Sequence, residues 1–261
     1  MSSQLFIGID LGSSYTKGVV LDEQATKLAE HTVKTGINFD QAAENVWQEL
    51  LTKLKLTAKA VTTTVSTGVG RNNCAFKHFS KPEINCLSKG VFHFHQKACT
   101  IIDIGGQDNK IIKLDQSGKQ LSFKMNRKCA AGTGSFLEEI SYKMGISIAE
   151  MNTLAQESTC AETISSFCTV FAATEIIHHM RAGANISAIL RGVFDSVTRR
   201  VLEMDTIEND LVATGGAVFH NPMLLVSLNE LLRRPVHLLP SPQTMGAFGA
   251  ALYALESHSA Q

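Results

Sequence analysis

Two acidic residues, Asp10 and Asp103, each end an apolar run and stand just before a turn that contains glycine. A carboxylate in such a place can hold a metal ion or a water molecule. The exposed N–H groups of a tight turn can bind phosphate oxygens. Phosphoryl transfer combines these two elements, a metal-binding acid and a phosphate cradle. The sequence therefore indicates nucleotide chemistry at two turns of one chain.

The sequence around the two acids is repeated. Residues 6–22 read FIGIDLGSSYTKGVVLD and residues 99–115 read CTIIDIGGQDNKIIKLD. The copies match at Ile9/Ile102, Asp10/Asp103, Gly12/Gly105, Lys17/Lys110, Leu21/Leu114 and Asp22/Asp115. Each copy predicts a β-hairpin. Two ordinary hairpins can look alike by coincidence, but the shared order of acid, glycine and lysine favours two related subdomains.

The turns supply the candidate contacts. Those of the first are Asp10, Gly12, Ser13, Ser14 and Lys17, although Lys17 could equally be a solvated strand residue. Those of the second are Asp103, Gly105, Gly106, Gln107 and Asp108. We predict catalytic roles for Asp10 in the Mg²⁺ shell, for Asp103, and for Gln107 in orienting the attacking water. A third contact is predicted at Gly215-Gly216, after a strand that ends at Thr214.

Two cysteines stand where helices are predicted to begin. Cys129 lies in NRKCAAGTGSF and Cys168 in SSFCTVFAATE. The dipole of a helix favours a thiolate near its N-terminus. Spacing alone does not separate metal ligands from inert buried thiols, and two thiolates are too few for a four-iron cluster. We expect Cys74, Cys86 and Cys99 to be core thiols and Cys160 to be a spectator.

Composition limits the classes of function. The 261 residues contain 24 lysines plus arginines and 24 aspartates plus glutamates, so overall charge gives no argument for nucleic acid or an anionic membrane. No apolar stretch is long enough to span a bilayer. The first residues lead into a strand without a signal-peptide layout, and we expect a cytoplasmic protein. Six cysteines in such a chain do not indicate a disulfide framework.

Hydrophobic periodicity predicts an α/β chain whose order of three strands, helix, strand and helix occurs twice, with extra helices. Strands are predicted at 5–10, 15–21, 28–33, 62–66, from 100, at 121–125 and at 210–214. Helices are predicted at 40–56, 82–96, 134–144, 148–155, 170–180, 186–204, 222–232 and 245–255. In the helix at 186–204 we expect Arg191, Asp195, Arg199 and Arg200 to form a solvated face.

The strings IDIGGQDNK, KCAAGTGSF, CTVFAATE and ATGGA resemble the ATPase activators of 2-hydroxyacyl-CoA dehydratases, a family that includes the nucleotide-binding subunits of benzoyl-CoA reductase. The resemblance spans about residues 6–254. It implies the α/β fold of acetate and sugar kinases, heat-shock ATPases and actin. It also implies two ribonuclease-H-like subdomains, 1–97 and 98–261, with the nucleotide in the cleft between them. The final helix, 245–256, is expected to pack on the first subdomain.

The resemblance also implies a function. Such a protein is an oxygen-sensitive homodimer with one 4Fe–4S cluster, held by Cys129 and Cys168 of each subunit. MgATP hydrolysis to ADP drives one low-potential electron from this cluster to a partner iron–sulfur dehydratase or reductase. Ferredoxin or flavodoxin is the expected electron source. Cofactor contacts are also assigned to Gly132, Thr133 and Gly134.

Two departures from the family pattern lie near the cysteines. Arg127 stands where an acid is expected, and Ala173-Thr174 precede Glu175 where ESE is common. Both put the partner and the redox tuning in doubt more than the cluster. Two alternatives remain, a small-molecule kinase of the same fold without a cluster and a non-redox ATP-dependent regulator.

Overall fold

The structure, a computed structural model, describes residues 4–127, 129–165 and 168–259. The strands are β1 Leu5–Leu11, β2 Tyr15–Leu21, β3 Lys27–Lys34, β4 Val61–Thr67, β5 Phe79–Ser80, β6 Cys99–Ile104, β7 Asn109–Leu114, β8 Gln120–Asn126, β9 Asp210–Thr214 and β10 Val236–Leu238. The helices are α1 Phe39–Leu54, α2 Glu83–His95, α3 Gly134–Met144, α4 Ile148–Gln156, α5 Thr169–Arg181, α6 Ile186–Leu202, α7 Gly216–His220, α8 Pro222–Leu232 and α9 Met245–Ser259.

The chain divides into two compact units. The first comprises the described residues of 1–97, 116–120 and 244–261, and the second those of 98–115 and 121–243. Each unit contains one five-stranded sheet covered by helices, which confirms the predicted α/β class.

The two sheets have the same topology. Their strand orders are β3-β2-β1-β4-β5 and β8-β7-β6-β9-β10. In both, a hairpin of antiparallel strands is joined by a parallel strand that arrives after helices, β4 beside β1 and β9 beside β6. The acids occupy equivalent registers, Asp10 opposite Thr67 and Asp103 opposite Thr214. The sequence repeat therefore reflects a repeated fold.

The core of the first unit lies on both faces of its sheet. One face packs against α1 through Val46, Trp47 and Leu50, and the other packs against α9. Gly8 on β1 permits the contact with α9, because a Cβ there would lie 1.9 Å from the carbonyl oxygen of Ala247. The central strand β1 is buried along its whole length, and so the hairpin that carries Asp10 is rigidly supported.

The core of the second unit is built around α6. Its Val193, Phe194 and Val197 are fully buried among side chains of α3, α4, α5 and α8. The expectation of a solvated charged face is wrong for Arg191, which is 8% exposed, donates to the carbonyl of Ser158 and pairs with Glu230. The Glu230 hydrogen bond raises the pKa of Arg191. The tight packing of neighbouring helices around α6 explains why a charged residue is buried there.

The predicted helices and strands are all present, with ends that differ by a few residues. The short elements β5, α7 and β10 were not predicted; they have two, five and three residues, too few to show a period. In the described part of the chain, every helix is too short or too polar to cross a bilayer.

Candidate nucleotide and metal sites

The first turn holds Asp10 at the end of β1, opposite Lys17 on β2. The Lys17 Nζ lies 3.2 Å from Asp10 Oδ2, so Lys17 is an ion-pair partner and not simply a solvated strand residue. The other oxygen, Oδ1, is buried and has no hydrogen-bond partner among the described residues. A buried carboxylate oxygen without a partner is costly, which marks this atom as a place for a ligand.

Two glycines make room for the Asp10 carboxylate. Gly68, just after β4, has a φ of +88°, and a Cβ there would lie 2.5 Å from Asp10 Oδ1. Gly246, in the first turn of α9, would place a Cβ 3.1 Å from Oδ2. Any side chain at either position would crowd the carboxylate, so both glycines keep space around it.

The acid of the second turn, Asp103, has different hydrogen-bond partners. Lys110 is almost fully buried and bridges two carboxylates, with Nζ 3.1 Å from Asp103 Oδ2 and 2.8 Å from Asp108 Oδ1. The remaining oxygen of Asp103 accepts a hydrogen bond from Thr214 Oγ1 at 2.9 Å. Both oxygens of Asp103 are therefore satisfied by the protein. The equivalent threonine of the first unit, Thr67, donates instead to the carbonyl of Lys81.

This contrast decides which acid fits a metal. Mg²⁺ prefers carboxylate oxygens and water, bound through one or two acids plus the substrate phosphates. Asp10 Oδ1 meets that requirement because its buried oxygen needs a partner. The oxygens of Asp103 already accept from Thr214 and Lys110, so a metal ion there would compete with those contacts. The residues present fit one Mg²⁺ held at Asp10.

The two turns close in the same way. Gly12 N donates to Tyr15 O at 3.1 Å, and Gly105 N donates to Asp108 O at 2.9 Å. Ser13 and Gln107 are exposed at the tips, while Ser14 and Gly106 are half-buried. Phosphate-sized ligands can therefore reach the tips of both turns.

Residues 132–135, at the start of α3, form hydrogen bonds with the second turn and its flank. Gly134 N donates to Gly105 O at 2.9 Å, and Ser135 N donates to Gly106 O at 2.8 Å. Asn109 Nδ2 donates to Gly132 O at 2.6 Å. The first N–H groups of α3 thus hold the second turn, and Gly134 contributes to this through its backbone.

The Gly215-Gly216 pair directly follows β9, as the sequence predicts, and Gly216 is the first residue of α7, which was not predicted. Gly215 has a φ of +101°, and a Cβ there would lie 2.2 Å from Ile104 O at the end of β6. This position matches Gly68, where a Cβ would lie 2.5 Å from Leu11 O. In each unit a left-handed glycine lets the parallel strand turn away beside the hairpin that carries the acid.

The cysteines fall into two classes, and none of the six, all in the described part of the chain, forms a disulfide. Cys74, Cys86 and Cys99 are buried as predicted, and burial raises the pKa of their thiols to about 11, 12 and 11. Such thiols stay protonated near neutral pH. Cys129, Cys160 and Cys168 are exposed.

The exposed Cys129 and Cys168 flank helices that share one core. Cys168 is the N-cap residue of α5, and Cys129 precedes α3 by a short loop. Phe136 of α3 and Ile176 of α5 belong to the same buried cluster. Thiolates at such positions suit iron. Within one described chain, no group of three or more His, Cys, Asp or Glu side chains could hold a metal ion.

The departures from the family pattern have defined surroundings. The Arg127 Nε lies 3.4 Å from Asp108 Oδ2, next to the second turn. Ala173 is buried in the core, and Thr174 is exposed on α5. Glu175 accepts hydrogen bonds from the backbone and the hydroxyl of Ser165.

Sequence reasoning missed several residues that shape these sites, among them Gly68, Thr214, Ser165 and Gly246. One signal was available for the first two. A β-branched or apolar strand ends in the same Thr-Gly pair in both units, at Thr67-Gly68 and at Thr214-Gly215. For Ser165 and Gly246 no local pattern pointed to the contact.

Two solved structures are similar to this chain over nearly its whole length. The solved structure of the 2-hydroxyisocaproyl-CoA dehydratase activator of Clostridium difficile, with bound ADPNP, matches with a TM-score of 0.91 and 34% identity, covering 98% of this chain and 96% of that one. Component A of the (R)-2-hydroxyglutaryl-CoA dehydratase of Acidaminococcus fermentans matches with a TM-score of 0.92 and 33% identity, covering 98% and 100%.

The sequence comparisons agree with the structural ones. The activator of lactoyl-CoA dehydratase of Anaerotignum propionicum is 38% identical over 254 residues, which covers 96% of this chain and 97% of that protein. Residues 7–254 match the BadF/BadG/BcrA/BcrD ATPase family. The resemblance inferred from the sequence is thereby confirmed, and the fold is that of the dehydratase activators. The chain belongs to the BadF/BadG/BcrA/BcrD ATPase family.

Proposed function

We propose that this protein is an ATP-dependent one-electron donor that activates a 2-hydroxyacyl-CoA dehydratase or a related iron–sulfur reductase. The observation that carries the proposal is the placement of Cys129 and Cys168. Both are exposed beside helices α3 and α5, in the unit whose phosphate turn is braced by the start of α3. A kinase without a cluster gives no reason for these two exposed thiols. The named relatives are activators of this kind.

The nucleotide chemistry is assigned to the two turns. Asp10 Oδ1 would hold Mg²⁺ or a water molecule of its shell, while Lys17 holds the other oxygen of the same carboxylate. The N–H groups of the first turn, around Gly12, Ser13 and Ser14, bind phosphate oxygens. Those of the second turn do the same near Gly106, and the exposed Gln107 orients the attacking water. Asp103 fixes the second turn through Lys110 and Thr214.

Cys129 and Cys168 are the proposed ligands of a 4Fe–4S cluster, which takes four thiolates. When bound, the cluster stores and delivers one electron. A two-fold homodimer supplies the second pair of thiolates. The surface of α5 supports such an assembly, because Val170 and Phe171 in its first turn are 64% and 67% exposed and Ile177 further along the helix is 51% exposed. Apolar side chains grouped in this way are typical of interaction sites.

The contacts inside the second unit offer a route from nucleotide to thiol. Movement of the Gly105-Gly106 turn pulls on the first N–H groups of α3, since these donate to its carbonyls. The same α3 follows Cys129 and packs against α5, whose N-cap is Cys168. A change at the phosphates thereby reaches both cysteine segments through packed backbone.

The test is nucleotide-dependent electron transfer. Dithionite-reduced, desalted protein is mixed without oxygen with an oxidised 2-hydroxyacyl-CoA dehydratase of the types activated by the relatives above, and the optical and EPR signals of the acceptor are followed. We expect one electron to pass per dimer with MgATP and none with MgADP. Rapid phosphorylation of a sugar or acid by an iron-free protein would support the kinase alternative. ATP hydrolysis by an iron-free protein without such a substrate would support the non-redox regulator.

Ferredoxin or flavodoxin is proposed as the electron source. The oxidised dimer incubated with reduced ferredoxin should regain the reduced-cluster EPR signal without nucleotide. Failure of ferredoxin and flavodoxin alike, with dithionite still effective, would remove this part of the proposal and leave the transfer to the acceptor intact.

A further inference from the structure

The segment that leads to Cys168 is fastened to the second unit at several points. Arg191 Nη1 donates to Ser158 O at 2.8 Å, and Glu162 N donates to Ala188 O at 2.9 Å. Gly192 on α6 allows this approach, because a Cβ there would lie 1.9 Å from Glu162 O. The segment therefore follows the surface of α6.

Among the described residues, Ser165 is the last one before Cys168 that is held in this way, and its partner is Glu175. Ser165 N lies 3.0 Å from Glu175 Oε1 and 3.1 Å from Oε2, and Ser165 Oγ donates to Oε1 at 2.8 Å. Hydrogen bonds to a carboxylate are stronger than those between neutral groups. This contact lies at the surface, where water could solvate the same groups. The three hydrogen bonds nevertheless define one arrangement of Ser165 relative to the Glu175 carboxylate.

The position of Glu175 on α5 connects this contact with Cys168. Cys168 is the N-cap of α5, and Glu175 lies about two turns further along the same helix. Ala172 and Ile176 fix that helix in the core. The chain between Ser165 and Cys168 can span at most about 10 Å. Cys168 is therefore restrained from both sides, by α5 after it and by the Ser165–Glu175 contact before it.

We propose that Glu175 is a positioning residue that holds Cys168 in place for metal binding. The inference rests on the proposed cluster, and it adds a residue that touches neither nucleotide nor metal. Glu175 acts by closing a short ring from Ser165 through Cys168 back to α5. Fixing a ligand before the metal arrives lowers the conformational cost of binding.

The test compares Glu175→Ala and Ser165→Ala with the wild-type full chain. The matched control is Glu139→Ala, which removes a glutamate on α3 whose partner is Lys143 at 3.0 Å. In metal-free protein, Glu175→Ala should speed hydrogen exchange at the Ser165 amide about tenfold. Alkylation of Cys168 relative to Cys129 should rise about fivefold as the thiol samples more conformations. Ser165→Ala, which removes only the hydroxyl, should give a smaller change.

The same variants are then loaded with iron, and a chelator extracts the metal. Iron should leave Glu175→Ala about fivefold faster than wild type, with Glu139→Ala unchanged. If Ser165 exchange rises while the Cys168-to-Cys129 alkylation ratio stays within twofold, the positioning role is overturned. An iron-free wild type would overturn the proposed function instead, and the alkylation ratio in metal-free protein would still decide the role of Glu175.

Discussion

The two acid-bearing turns have similar sequences, equivalent strand registers and the same turn hydrogen bond. Their carboxylates nevertheless differ in their hydrogen-bond partners. Asp10 has a buried oxygen without a partner in the described protein, whereas Asp103 is satisfied by Lys110 and Thr214. Duplication of a hairpin thus preserves backbone geometry while neighbours elsewhere in the chain decide the chemistry. One copy is left open for a ligand, and the other is held together by its own residues.

The largest expected effect concerns the buried lysine of the second turn. Lys110→Met leaves Asp103 and Asp108 close together without their shared cation. Loss of one member of a buried charge pair costs about 3–5 kcal/mol. Urea unfolding of the metal-free protein measures the loss. Lys17→Met is the matched comparison. Lys17 is more exposed than Lys110 and pairs with one carboxylate instead of two, so its loss should cost less than that of Lys110. Equal losses at the two positions would remove the proposed asymmetry.

The next effect is on catalysis. Asp10→Asn removes the charge that we propose binds Mg²⁺ and should lower kcat for ATP hydrolysis about 100- to 1000-fold, with little change in Tm. Steady-state phosphate release, titrated with Mg²⁺, measures it.

The control for that variant is Asp22→Asn at the far end of the same hairpin. In the described part of the chain, the Asp22 carboxylate accepts hydrogen bonds from the local backbone N–H groups of Gln24 and Thr26. Its kcat should stay near that of wild type. An Asp10→Asn protein with normal kcat would show that this acid does not serve the metal.

A smaller effect distinguishes buried from exposed thiols. The raised pKa values of Cys74, Cys86 and Cys99 mean that the unfolded thiols ionise near pH 9 while the folded ones remain neutral. The contribution of these buried thiols to the free energy of unfolding is full below pH 9 and is lost as pH rises towards 11 to 12. The free energy of unfolding should therefore fall above pH 9, and less steeply in Cys86→Ala. An equal slope in both proteins would contradict this burial effect.

The smallest effect concerns the second partner of Asp108. Arg127 is largely exposed, and surface ion pairs contribute about 0–1 kcal/mol. Arg127→Gln should change the free energy of unfolding by less than about 1 kcal/mol, and added salt should remove the difference. Comparison with Lys110→Met then separates the two cations that contact one carboxylate. A loss as large as that of Lys110→Met would show that Arg127 is part of the buried network.

The sequence predicts the hairpins well because their signals are local. The two apolar strands, the turn with glycine and the repeated acid all lie within the 17 residues of each copy. The asymmetry is not local. Thr214 reaches Asp103 across 111 positions, and Gly246 reaches Asp10 from the far end of the chain. No pattern within one element could reveal that one acid is satisfied and the other is not.

The same reason explains the error at α6. A charged stripe on an isolated helix predicts a solvated face, but packing on several sides buries Arg191 against Ser158 and Glu230. For the cysteines, the prediction that three are core thiols is confirmed by their burial. The ligand role of Cys129 and Cys168 comes from the family resemblance and remains a prediction.

The most direct test of the account is the iron and acid-labile sulfide content of protein purified without oxygen, together with the EPR spectrum after reduction. The account predicts about four irons per two chains, lost in Cys129→Ser and in Cys168→Ser and retained in Cys160→Ser. A wild-type protein that stays colourless and iron-free, even after reconstitution with iron and sulfide, would contradict it.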